Sequence, residues 1–220
     1  MVYFVGVDVG TGSVRAGLFD EKGQMINICT QSIKMWNPSP NFFEQSSTDI
    51  WNSCCYVVKV CSSLLQLNPS KWKFKTVLYF QNITKNIDVT QIHGIGFDAT
   101  CSLVVLGKNG NEDLTVSPSG RKIVTIVLKN NRSLKSKFVA GEKEQNIIMW
   151  MDHRASEETN YINSINHEAF SYVGGKVSIE MQLPKLCWLK KNLPETWSNS
   201  GMFLDLPDFL TWKATGSETR

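Results

Sequence analysis

The sequence contains no CxxC pair, no histidine at metal-ligand spacing and no long apolar run. Its six cysteines are Cys29, Cys54, Cys55, Cys61, Cys101 and Cys187. Four of them fall inside apolar periodic segments, so buried free thiols in a reducing compartment are expected rather than disulfides or a metal centre. His93, His153 and His167 are scattered. No apolar stretch approaches the ~20 residues of a membrane span. Asp8 interrupts the apolar start, and no basic region or small-residue cleavage site follows, so no signal peptide is expected. A cytoplasmic location follows as the default.

Acidic residues are missing from two tracts. Residues 71–86 (KWKFKTVLYFQNITKN) hold four lysines, and residues 121–137 (RKIVTIVLKNNRSLKSK) hold six basic residues. The chain's net charge is +3, yet outside these tracts 13 basic residues face 20 acidic ones. The basic character is local. No nucleic-acid-binding module or membrane anchor accompanies it, so neither partner is expected.

With 220 residues, 42% of them hydrophobic, the chain can bury a sizeable core. Its opening, VGVDVGTGSVRAGLFDEKG at residues 5–23, carries the first motif. A Rossmann loop or a P-loop lies between a strand and a helix. Here VRAGLF after the glycines alternates as a strand does, DEKG reads as a turn, and QMINICTQSI reads as a third strand. In such a hairpin Gly10 and Gly12 let backbone N–H groups approach a phosphate. Thr11 and Ser13 add hydroxyl donors, and Arg15 adds a fixed cation. Asp8 could hold magnesium through water, because magnesium keeps much of its hydration shell.

Further along, Ser46 and Asp49 read as a helix start. Ile50, Cys54, Val57, Val58, Cys61, Leu64 and Leu65 then recur at helical spacing. Residues 92–106 (IHGIGFDATCSLVVL) read as a strand, a polar break at Asp98–Thr100 and a second strand. Residues 147–155 (IIMWMDHRA) read as a strand that terminates in Trp150, Asp152 and Arg154. Residues 172–193 carry Gly-Gly, Ser-x-Glu and Pro-Lys-Leu-x-Trp-Leu, and residues 203–216 read FLDLPDFLTWKATG.

The Asp-x-Gly-Thr-x-Ser-x-Arg opening resembles the first phosphate motif of the actin-like ATPase superfold. GFDATCSLVVL, WMDHRA, VGGKVSIEMQLPKLCWL and DLPDFLTWKATG resemble the FGGY carbohydrate kinases within it, and among them the ribulokinase-like branch. That resemblance implies a ribonuclease-H-like (actin-like ATPase) α/β domain, with a mixed sheet that opens on three antiparallel strands and helices on both faces. It implies a kinase that uses ATP and Mg2+ to phosphorylate a ketopentose, D-ribulose first. Gly10, Thr11, Gly12, Ser13 and Arg15 would contact ATP and Asp8 the metal. Asp98, Ala99, Thr100, Trp150, Asp152, Arg154 and Glu180 would line the sugar site. Family members are more than twice this long, and their catalytic base and adenosine pocket match nothing in residues 1–220. The chain therefore reads as an N-terminal domain with little turnover of its own; a homodimer is left open for the full-length enzyme. Tracts 71–86 and 121–139 read as insertions or as translated intron in a gene model. The competing readings are a non-enzymatic nucleotide-binding module of the actin or chaperone type, and a catalytically dead truncated isoform.

Overall fold

The computed structural model describes residues 1–58, 88–108, 110, 113–124, 136–140, 144–165 and 167–216. In chain order the strands and helices begin with β1 (Tyr3–Val9), β2 (Ser13–Asp20), β3 (Met25–Ser32), β4 (Glu44–Gln45) and α1 (Ser47–Val57). There follow β5 (Ile92–Ala99), β6 (Leu103–Gly107), β7 (Pro118–Val124), β8 (Ser136–Ala140), β9 (Ile147–Ile148) and α2 (Ser156–Ser164). The last are α3 (Gln182–Asn192), α4 (Pro194–Asn199), β10 (Ser200–Asp205) and α5 (Leu206–Thr215). They form two compact units. Among the described residues no helix is long and apolar enough to cross a membrane.

The first unit comprises residues Met1–Lys34, Thr48–Thr100 and Leu206–Arg220. Its sheet has the order β3-β2-β1-β5, with β1 and β5 parallel and the other pairs antiparallel. It is the expected mixed sheet with a three-stranded antiparallel opening. Alternation sets its faces. Val5, Val7 and Val9 oppose Leu18, Ala16 and Val14, and all six are buried. Ile50, Cys54 and Val57 of α1 and Phe209, Leu210 and Ala214 of α5 are buried in the same unit, and α5 packs against β5. The β2–β3 turn is closed by Asp20, whose Oδ1 accepts the amides of Lys22 at 2.9 Å and Gln24 at 2.8 Å. Gly23 takes the left-handed conformation (φ 77°) that this turn needs.

The second unit comprises Met35–Ser47 and Cys101–Asp205. Its sheet, β10-β6-β9-β4, is antiparallel throughout. Strand β6 is buried along its whole length, which explains its unbroken Leu-Val-Val-Leu run. Leu103, Val105, Val116, Ile148, Trp188 and Leu189 anchor the core of this unit. The break expected near Asp98–Thr100 is where the chain leaves one sheet for the other: β5 belongs to the first and β6 to the second. Strand β9 is only two residues long, and Trp150, Asp152 and Arg154 follow it in a turn. Strand β10 has no counterpart in the sequence reading. Gly216 (φ 63°) closes α5, its N–H reaching Trp212 O at 2.8 Å.

Strands β7 and β8 pair with each other in a two-stranded sheet of their own, which takes in both ends of the second basic tract. The first tract, at 71–86, lies outside the described residues, as do Cys61, Leu64 and Leu65. The five described cysteines are free. Burial pushes the Cys55 thiol up to about 11 and Cys54 higher still. Among the five, Cys54 is buried as expected, while Cys29, Cys55 and Cys187 are half-buried and Cys101 is exposed.

Candidate functional site

In the first unit the candidate residues gather at one end of the sheet. The register places Asp8 of β1 between Arg15 of β2 and Asp98 of β5, so all three share one face. Arg15 Nη2 lies 2.6 Å from Asp8 Oδ2, with the two side chains 51% and 48% exposed. The connecting turn is tight: Gly10 N–H donates to Ser13 O at 2.9 Å, and Ile33 N–H donates to Gly12 O at 3.2 Å. A Cβ on Gly10 would meet Arg15 Nη2 at 3.5 Å, whereas one on Gly12 would meet nothing within 4 Å. The turn therefore presents main chain to open space next to a guanidinium. Asp98 Oδ1 accepts the Ala99 amide at 3.0 Å, and Thr100 N–H extends the ladder to Val9 O at 3.1 Å.

Among the described residues no group of three or more His, Cys, Asp or Glu side chains is gathered for a metal. A half-exposed Asp8 in line with Asp98 still fits magnesium, which is commonly held by one or two carboxylates and water.

The second unit holds Trp150, Asp152, Arg154 and Glu180. Asp152 and Arg154 have fully enclosed side chains. Arg154 Nη2 donates to Asp152 Oδ2 and to Glu44 Oε1, both at 2.7 Å, and Nη1 donates to Val116 O at 2.7 Å. Its Nε reaches both Asp152 oxygens at 2.9 Å. The guanidinium carbon sits 4.3 Å from the Phe42 ring centroid and 4.9 Å from that of Trp188. Asp152 Oδ2 also accepts the Phe43 amide at 2.7 Å. The hydrogen-bonding capacity of this pair is thus turned inward. Burial holds the Glu44 carboxyl above its ordinary range, with Arg154 acting against that shift.

Trp150 is half-buried, and its amide donates to Ser102 Oγ at 3.3 Å. Glu180 is half-buried in the turn before α3. The two are linked by a residue that the sequence reading passed over. Lys185 is fully buried, and its Nζ donates to Met149 O at 2.7 Å, Glu180 O at 2.9 Å and Trp150 O at 3.3 Å. Burial brings this ammonium down to about 8. Its signal in the sequence was position: Lys185 stands three and four residues before Trp188 and Leu189, on their face of the helix. Glu44 offered a weaker signal, an acid directly after Phe42-Phe43.

The sequence pattern of the FGGY family of carbohydrate kinases, N-terminal domain, matches residues 3–117. Over 220 residues, all of this chain and 32% of the relative, it is 45% identical to an FGGY carbohydrate kinase domain-containing protein of Xenopus laevis. Over 218 residues it is 41% identical to a D-ribulokinase of Saccharomyces cerevisiae, covering 99% of this chain and 25% of that protein. Among solved structures, the ligand-bound xylulose kinase of Lactobacillus acidophilus superposes with a TM-score of 0.64 at 17% identity, covering 99% of this chain and 34% of that one. The chain spans about a third or less of the length of these proteins.

Proposed function

Because this chain belongs to the FGGY family of carbohydrate kinases, we propose that it forms the phosphate- and sugar-facing domain of an ATP-dependent kinase acting on a ketopentose, D-ribulose first. The observation that carries this is the half-exposed Asp8–Arg15 pair at the end of the glycine turn. An exposed ion pair contributes little stability. The same two groups beside the glycine turn would make an anion site with a carboxylate at hand for a cation.

In this reading the main chain of Gly10, Gly12 and Ser13, with the Thr11 and Ser13 hydroxyls, surrounds the nucleotide phosphates. Arg15 turns from Asp8 to a phosphate oxygen, the bidentate geometry for which guanidinium suits. Asp8 would hold Mg2+ through water, and such an ion would supply charge neutralisation for phosphoryl transfer. On the sugar side, the second unit offers the aromatic face of Trp150 to C–H surfaces and Glu180 as a polar group. Asp152 and Arg154 serve that side indirectly, by fixing the turn that carries Trp150.

The choice of D-ribulose is supported by the similarity to the yeast D-ribulokinase. Residues 1–220 offer one wall of a site, and phosphoryl transfer needs its parts positioned from both sides. We therefore place turnover beyond residues 1–220 alone. The test replaces the matching quarter of the yeast enzyme with residues 1–220 and measures sugar-dependent ADP release. D-ribulose should be turned over, ahead of D-xylulose, glycerol and gluconate. A chimera active only on another of these sugars overturns the substrate; rapid turnover by residues 1–220 alone overturns the division of labour.

A further inference from the structure

Lys185 lies in the apolar core of the second unit with no solvent exposure. Among the described residues its ammonium is held by three main-chain carbonyls, those of Met149, Trp150 and Glu180. An ammonium has three protons, and all three find an acceptor. Carbonyl oxygens bring no counter-charge, so the desolvation of this cation is only partly offset, and an apolar side chain would fill the same space without that cost. The carbonyls come from two segments far apart in sequence: the turn after β9 and the turn before α3. One carries Trp150 and the other Glu180.

We propose that Lys185 is a positioning residue for the sugar site, fixing the main chain at Trp150 and at Glu180 in the mutual register that the substrate needs. This rests on the kinase reading above. The clamp is drawn through main-chain atoms, so it sets where both side chains start without consuming either one. The Met149 carbonyl is shared: it also accepts the Asp152 amide at 3.1 Å, which ties the clamp to the turn leading into the Arg154 cluster.

The charge on Lys185 makes the clamp sensitive to pH. Asp152, Cys101 and Glu180 favour the ammonium and Arg154 opposes it; burial outweighs them all and brings the group from 10.5 to about 8. A neutral amine has two protons and no charge, so it holds three carbonyls less firmly. The register between the two segments therefore slackens as pH rises past 8.

Hydrogen exchange of the purified protein reads both segments directly. At one pH, Lys185→Met should raise exchange about tenfold or more at the amides of 149–152 and 179–182 together. The β1–β2 amides should stay unchanged. Lys185→Arg, which keeps the charge and the donors, should restore part of the protection. With D-ribulose as the probe, wild-type protein should gain protection in both segments at pH 7 and gain less at pH 9, after correction for intrinsic exchange. The Lys185→Met variant should gain none. Unchanged exchange in a folded Lys185→Met protein, or loosening of only one segment, overturns the proposal. If that variant does not fold, equal ribulose protection of the wild type at pH 7 and pH 9 overturns it. Absence of ribulose protection in the wild type at both pH 7 and pH 9 overturns the sugar role of the clamp, whereas the kinase reading stands or falls with the chimera. The exchange pattern without sugar still shows separately whether the clamp exists.

Discussion

Asp8 and Arg15 oppose each other in register across the β1–β2 hairpin, their side chains joined at 2.6 Å while both remain about half exposed. A pair so open to water stabilises the fold by less than about 1 kcal/mol. Asp8→Asn should therefore leave the urea unfolding midpoint of residues 1–220 nearly unchanged. In the chimera with the yeast kinase it should cut turnover at least ~10²-fold if Asp8 places the metal. Turnover within a few-fold of the parent would remove Asp8 from the chemistry.

Gly12 separates function from folding in another way. A Cβ there meets nothing within 4 Å, and the residue is not among those with positive φ. Gly12→Ala should keep the stability of the parent. A methyl group on the face offered to phosphate should nonetheless raise the chimera's KM for ATP, about tenfold or more for a lost charged hydrogen bond. An unchanged KM would mean that no phosphate approaches the turn at this residue.

Arg154 predicts the opposite pattern. It is enclosed between Phe42 and Trp188 and bonded to Asp152 and Glu44, so its removal strands two buried carboxylates. Arg154→Met should cost about 3–5 kcal/mol in urea unfolding. Arg154→Lys should recover little, because an ammonium cannot reach Asp152, Glu44 and the Val116 carbonyl in one plane. A loss below about 1 kcal/mol for Arg154→Met would show that the cluster is far more hydrated than its geometry indicates.

Lys185 gives a pH dependence with a defined sign. Its folded value is about 8 against an ordinary 10.5, so between these values the unfolded chain binds more protons. Its contribution to stability is therefore greatest above 10.5 and is lost as pH falls through 8. Relative to Lys185→Met, the wild type should gain stability as pH is raised from 7.5 to 9.5. A difference that stays flat, or moves the other way, would mean the ammonium is not depressed in the folded protein. The gain is global, whereas the loosening proposed for the two turns is local; the two readouts move in opposite directions.

The hairpin was legible because each of its signals is local. Gly-Thr-Gly-Ser followed by the alternation of Val14 to Phe19 leaves little choice but a turn between strands, and Asp20 to Gly23 carries its own turn chemistry. Strand β6 was legible as an uninterrupted apolar run. The cluster around Arg154 was only half legible. The Trp-x-Asp-x-Arg spacing marks a special turn, but Arg154 finds Glu44 across 110 positions of chain. Nothing local reveals that this distant acid closes the guanidinium off from solvent. Lys185 escaped notice for the same reason: a lysine on an apolar helix face reads as a surface residue with a buried stem until its three carbonyls are seen. The passage from one sheet to the other at Thr100–Ser102 was hidden too, because a polar break between two strands looks the same whether or not they share a sheet.

The interleaving of the two units has a consequence for how the chain is made. Every residue of the second unit, 35–47 and 101–205, precedes Leu206, whereas the first unit needs α5, which follows it. During synthesis from the N-terminus, the second unit can close while the first still lacks the helix that packs on β5. The sheet that opens the chain is thus the first to be written and the last to receive its final helix. A nascent chain stalled between Asp205 and Thr215 would carry every residue of the second unit and a first unit still without its complete α5, the form most in need of a chaperone.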